Sequence, residues 1–336
     1  MSFEEMARMV AGFGDQLRWA ATASIEAPVE APPGHVLIAG MGGSGISGDL
    51  VGALAEVPVT VHKSYGLPAW AGSVQPLFLA LSYSGNTEET LSAVETAVGT
   101  GLRPVVVTGG GRLAGLAGEN GWQVVTVPSG LQPRAALGYL FGAVVRVLGA
   151  AGVVDEAEAG LRAAADQADQ ISGESGNGWE LAADLAEGLD GRIVGIYGST
   201  GLTAGAAQRW KTQINENAKW PAWFSLFPEL DHNEVVSWTS LADLTRRATG
   251  IVSLRDRDEP PAVGARYRHT EAITGKDVRW VGEVWSQGES RLERLVSLVA
   301  MGDLVSLELA RRAAVDPVPV EAIESLKQLL AKESTT

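Results

Sequence analysis

The chain has 336 residues, 46% of them apolar, enough for two domains that each bury a core. Its net charge of −14 and pI near 4.8 argue against nucleic acid, whose backbone demands basic surface. The absence of cysteine excludes disulfides, thiolate metal sites and thiol nucleophiles.

The N-terminus, Met1-Ser2-Phe3-Glu4-Glu5, is acidic and lacks the basic and apolar regions of a signal peptide. The apolar stretch from Phe141 to Val154 is too short for a bilayer and contains Arg146. The expectation is a soluble cytoplasmic protein with no membrane partner. The first buried strand, Val36-Leu37-Ile38-Ala39, runs into Gly40-Met41-Gly42-Gly43-Ser44-Gly45. These glycines satisfy G-x-G-x-x-G, which opens a dinucleotide reading. The context is against it, because the next strand zone, Val57 to Lys63, ends without the required carboxylate. A glycine loop that lets the backbone approach a sugar phosphate fits better, and a ligand-free turn stays open.

The apolar run Pro76 to Leu81 leads into Ser82-Tyr83-Ser84-Gly85-Asn86-Thr87-Glu88-Glu89-Thr90, and a helical pattern follows at Leu91, Val94 and Ala97. Three hydroxyls and free backbone N–H groups thus gather at a helix start, which suits a dianionic phosphate. The loop has no lysine and no Walker-type motif, so it reads as holding a phosphate monoester without transferring it. Further strands are expected at Pro104–Thr108 and Trp122–Val127. Arg134 follows the second of these and so falls at the carboxyl edge of a parallel sheet, where ligands bind; a surface salt bridge is its alternative.

Residues 1–150 form the expected first domain, 151–180 a helical linker and 181–336 a second domain. That second domain restarts the pattern: Arg192 to Tyr197, then Gly198-Ser199-Thr200-Gly201, resembles the first strand and glycine loop and suggests duplication of one α/β unit. A helix from about Ala204 carries Glu216 near its end, flanked by Asn215 and Asn217, which are poor helix formers. A carboxylate near a helix C-terminus, among apolar side chains, binds its proton more tightly; a surface helix terminus with no task is the alternative. Trp210, Trp220, Trp223 and Trp238 lie near this segment and are expected at an interface rather than on a sugar face.

His232 stands between Asp231 and Glu234, which are expected to favour its protonated ring. A metal reading is open in principle. The other histidines, His35, His62 and His269, have no matching spacing, so no metal and no cofactor is expected. Strands are expected at Ala248–Leu254 and Val278–Val284, and helices at Ser290–Ala314 and Val320–Lys332, separated by Asp316-Pro317-Val318-Pro319. Lys327, one of six lysines, lies on the last helix.

Gly40 to Gly45 and Ser82 to Glu89 together resemble the sugar isomerase (SIS) domain. Asn215-Glu216-Asn217-Ala218-Lys219, then Glu229-Leu230-Asp231-His232-Asn233-Glu234, narrows the resemblance, and the tail from Asp316-Pro317 to Lys327 adds a fourth match. All four resemble the bifunctional phosphoglucose/phosphomannose isomerases of archaea and some bacteria. The resemblance implies two SIS-type α/β domains, each a parallel sheet flanked by helices, in a homodimer whose active site takes its histidine from the partner subunit. It implies that Gly43, Ser44, Ser82, Ser84 and Thr87 bind the sugar phosphate and that Arg134 sits beside the reacting carbons. It makes Glu216 the catalytic base and has His232 and Lys327 assist ring opening. The implied activity is metal-independent interconversion of glucose 6-phosphate and/or mannose 6-phosphate with fructose 6-phosphate through a cis-enediol. A non-catalytic phosphosugar-binding SIS protein, or an isomerase of another phosphosugar, is the alternative.

Overall fold

The computed structural model describes residues 2–333; Met1 and residues 334–336, the outer ends of the two expected domains, lie outside it. Helices α1 (Ser2–Ala11) and α2 (Phe13–Thr22) precede the first sheet. Strand and helix then alternate as β1 (Val36–Ala39), α3 (Gly42–Val51), β2 (Val59–His62), the single turn α4 (Ala71–Val74), β3 (Leu77–Ser82) and α5 (Glu88–Thr100). The unit ends with β4 (Val105–Thr108), α6 (Gly111–Asn120), β5 (Val124–Thr126) and α7 (Leu137–Ala150). The strands pair in parallel in the order β2-β1-β3-β4-β5. Strands β1, β3 and β4 are buried at every position, which is why they read as unbroken apolar runs: helices cover both faces of the sheet.

Helices α8 (Ala157–Ser172) and α9 (Gly178–Leu189) lead to the second unit. It comprises β6 (Ile193–Ser199), α10 (Leu202–Gln213), β7 (Ala222–Phe227), α11 (Ala242–Ala248), β8 (Thr249–Arg255), α12 (Pro261–Thr274) and β9 (Trp280–Trp285). Its parallel sheet, β7-β6-β8-β9, repeats the order of the first with one strand fewer. Helices α13 (Arg291–Arg312) and α14 (Glu321–Glu333) follow. In each sheet the first strand lies between the second and the third, so the loops after the first and third strands become neighbours at the carboxyl edge.

The expected linker is helical, but α8 does not cross solvent. Its Leu161, Ala164, Ala165 and Ala168 are fully buried, and the helix packs on α2 and α13. One apolar cluster runs from Met6 through both sheets to Ala310, so the two units share a core. Helix α10 lies so close to α3 that a Cβ at Gly205 would come within 3.0 Å of the Asp49 carbonyl oxygen. Among the described residues no helix is long and apolar enough to cross a membrane.

Strand β7 was not legible in the sequence: Pro221 and Pro228 bracket it, and it is a half-buried edge strand. The tryptophans also depart from expectation. Trp210 and Trp238 are buried in the chain's own core, Trp210 donating its indole N–H to the Leu298 carbonyl at 2.7 Å.

Trp210 lies flat against α13 because residue 302 has no side chain. A Cβ there would fall 2.4 Å from Trp210 Cδ1. Gly302→Ala is therefore expected to lower stability by about 1–3 kcal/mol, seen as a lower urea midpoint. An unchanged or higher midpoint would show that the ring can yield.

Candidate active site

The carboxyl edge of the first sheet brings the two loops together. Met41 caps α3 without a side-chain hydrogen bond, and Thr87 does the same for α5, which leaves both helix starts open to an anion. The Ser44 hydroxyl accepts the Tyr83 N–H at 3.3 Å, which seats the glycine loop against the serine loop. Ser82 and Thr87 hydroxyls lie 2.9 Å apart, and the Ser84 hydroxyl accepts the Asn86 N–H at 3.2 Å. Gly85 makes this packing possible: its φ is +69°, and a Cβ would fall 1.7 Å from the Gly110 carbonyl oxygen. Gly43 allows the loop to touch the next segment, since its Cβ would meet the Pro133 carbonyl at 3.0 Å and Arg134 Cα at 3.6 Å.

Arg134, in a short 3₁₀ turn after β5, is 4% exposed. Its Nε donates to Asn217 Oδ1 at 2.8 Å, and its Nη2 donates to the Pro317 and Val318 carbonyls at 2.5 and 2.8 Å. Its Nη1 lies 3.8 Å from Glu216 Oε2. Burial pushes the Arg134 pKa down from its ordinary value while Glu216 opposes the shift. The backbone carbonyl of Arg134 accepts from Arg209 at 2.7 Å, and Arg209 is held in a buried two-toothed pair with Asp303 at 2.9 and 3.1 Å.

Glu216 belongs to a five-residue π-helical turn, Ile214–Ala218, that ends α10. The two asparagines around it have separate tasks. Asn215 donates to the Trp220 carbonyl at 2.7 Å and closes the turn. Asn217 is fully buried, accepting from Arg134 and donating to Ser306 at 2.9 Å, so both ends of its amide are satisfied. Glu216 is 29% exposed. It lines a cavity of about 550 Å³ with Asn215, Lys219, Asp316, Val320 and Ile323. Lys327 is exposed one helical turn beyond Ile323 on α14 and is not part of the cavity lining.

His232 is elsewhere. Helix α10 runs back from the carboxyl edge of its own sheet, so Glu216 lies at that sheet's amino edge. Strand β7 then returns to the carboxyl edge, where an exposed His232 ends the 3₁₀ turn Glu229–His232. The length of β7, about 20 Å at the usual strand rise, separates the two within one chain. The flanking acids also serve other partners. Asp231 takes Arg266 and Thr270, each at 2.7 Å. Glu234 takes the Tyr197 hydroxyl at 2.7 Å, the Trp223 indole at 3.1 Å and the Ser225 hydroxyl. The sequence expectation that both acids act on His232 is therefore corrected: the 3₁₀ turns aim them into the domain.

The structure thus gathers Gly43, Ser44, Ser82, Ser84, Thr87, Arg134 and Glu216 around one edge, puts Lys327 one turn along the helix whose start lines the cavity, and places His232 apart. Among the described residues no group of three or more His, Asp or Glu side chains is placed to hold a metal ion. Sequence reasoning assigned no task to Asn217, Arg209, Asp303 or Lys219. The buried pair Arg209–Asp303 carried no signal, and the two asparagines signalled only a polar helix end.

A family model described as the bacterial phospho-glucose isomerase C-terminal SIS domain matches residues 180–330. A bifunctional phosphoglucose/phosphomannose isomerase of Caldicellulosiruptor bescii is 39% identical, covering 88% of this chain and 89% of that protein. One of the same description from Aquifex aeolicus is 35% identical, covering 98% of this chain and 100% of that protein. Among solved structures, the C-terminal domain of glucosamine-fructose-6-phosphate aminotransferase from Francisella tularensis shares the fold. Its TM-score is 0.69 at 13% identity, covering 93% of this chain and 97% of that one. The chain belongs to the bifunctional phosphoglucose/phosphomannose isomerase family.

Proposed function

We propose that the protein is an aldose–ketose isomerase that interconverts glucose 6-phosphate and/or mannose 6-phosphate with fructose 6-phosphate by a metal-independent cis-enediol route. The observation that carries this reading is the approach of Glu216 to within 3.8 Å of Arg134, at the edge where two hydroxyl-rich helix starts converge. The relatives named for both sugar isomerisations support it.

The roles follow from chemistry. Ser44, Ser82, Ser84 and Thr87, with the backbone at Gly43, hold the substrate phosphate and fix its far end. Glu216 moves a proton between C1 and C2 of the open chain. Arg134 offers charge through Nη1, while its other donors stay bound to protein; the group cannot swing, so it meets the enediolate without reorganising. Lys327 and His232 assist ring opening. Within one chain His232 lies too far from Glu216 to do so, which favours a homodimer in which His232 of a second copy completes each site. Exposed apolar side chains beside these residues, Val236, Leu241 and Leu244 after His232 and Ile323, Leu326 and Leu329 on α14, are surface that such a dimer would cover.

Glu216→Gln is expected to bind fructose 6-phosphate within a few-fold of the native affinity but to lose about 10²- to 10⁴-fold in kcat, with EDTA leaving the native rate unchanged. Near-native turnover by the variant would remove Glu216 from the role. Loss of the native rate in EDTA would contradict the metal-free route. Binding without turnover by the native protein would favour a regulatory phosphosugar-binding role. For the shared site, Glu216→Gln and His232→Ala proteins, each inactive alone, are unfolded together and refolded at equal ratio. Half of the dimers are then mixed and each holds one intact site, so about a quarter of native activity is expected. No recovery would place both residues in one chain's site.

A further inference from the structure

Lys219 occupies a backbone position that suits glycine or asparagine better. It caps the Glu216 turn with φ 57° and ψ 32°, in the left-handed region. A lysine held there points to a task for its side chain. Its ammonium donates to the Glu216 carbonyl at 2.5 Å and reaches the Pro317 carbonyl at 3.3 Å. The Pro317 carbonyl also accepts from Arg134. Two cationic side chains, one from each half of the molecule, therefore close on a single carbonyl of the strap Asp316–Pro319. That strap leads directly into α14, which carries Lys327. Lys219, Glu216 and the strap line the same cavity.

We propose that Lys219 is a positioning residue: a latch that ties the strap, and with it the start of α14, to the turn presenting Glu216. It rests on the reading of Glu216 as the base. Its consequence is that Glu216 and the start of the helix that carries Lys327 keep a fixed separation. The phosphate anchor lies on other loops and is independent of it. The charged groups facing the ammonium are Arg134, Glu216 and Asp316. Burial, then Arg134, holds its pKa below the ordinary lysine value, so the latch loses its charge as pH rises through that lowered value.

The test compares Lys219→Met, Lys219→Gly and Lys219→Arg by steady-state kinetics, thermal melting and amide hydrogen exchange over residues 316–327. Both Lys219→Met and Lys219→Gly are expected to lower kcat about tenfold or more, with KM within about threefold of native. Glycine relieves the backbone, so Lys219→Gly is expected to melt at or above the native temperature while still losing turnover. Lys219→Arg keeps charge and donors; it is expected to recover part of kcat and to shift the alkaline limb of the kcat profile to higher pH. Exchange over 316–327 is expected to accelerate in Lys219→Met and Lys219→Gly alone. Native kcat in both neutral variants, or unchanged exchange over the strap, would overturn the latch. If the native protein shows no isomerase activity, the proposed function fails, and the exchange result still decides the latch by itself.

Discussion

A guanidinium buried as deeply as that of Arg134 must find its hydrogen-bond acceptors inside the protein, and meeting that demand draws the rest of the site together. Its three acceptors come from two places: Asn217 on the turn after α10, and Pro317 and Val318 on the strap before α14. Its own backbone is held by Arg209, which is fixed in turn by Asp303 on α13. The carboxyl edge of the first sheet is thereby pinned to the C-terminal end of α10. Gly43 closes the arrangement from the other side, because a Cβ there would come within 3.0 Å of the Pro133 carbonyl and press the glycine loop away from Pro133 and Arg134. One polar network thus sets where Glu216 stands relative to the hydroxyls of the two loops. Breaking it on one side would leave a buried charge unmet, which is far more costly than losing a surface pair.

The duplicated fold uses its two edges differently. The second glycine-hydroxyl loop, Ser199-Thr200-Gly201, also opens onto a cavity, of about 510 Å³. There the walls include Asp256, Asp258, Glu259 and Glu289. Arg294 is committed to Asp256 at 2.9 Å and to Asp258 at 2.8 Å. Carboxylates outnumber arginines at that edge and would repel a phosphate. The same strand–loop–helix unit therefore presents uncapped helix starts beside hydroxyls in the first half, while in the second half it contributes the far end of α10.

Much of this was legible in the residues. The buried strands announced themselves as apolar runs because parallel sheets are covered on both faces, and the order of strands and glycine loops placed the glycine loop beside the serine loop, where the structure has them meet. Asn215 and Asn217 marked the end of α10 as polar. What they were for was hidden, since the partner of Asn217 lies 83 residues away at Arg134. The acids around His232 misled because adjacency in sequence says nothing about direction in a 3₁₀ turn: Asp231 and Glu234 turn into the domain and the imidazole turns out. Strand β7 hid behind its prolines, and the left-handed cap at Lys219 is a tertiary effect that no local pattern encodes.

The central claim is that Glu216, facing Arg134 across the edge of the first sheet, moves a proton between adjacent carbons of an anchored sugar phosphate. Incubation of the protein with fructose 6-phosphate in deuterated water tests it most directly. The account predicts deuterium at C1 of the recovered ketose and at C2 of the aldose products with the native protein, and neither label with Glu216→Gln. Aldose formed with only protium at C2, or equal labelling by the variant, would contradict it.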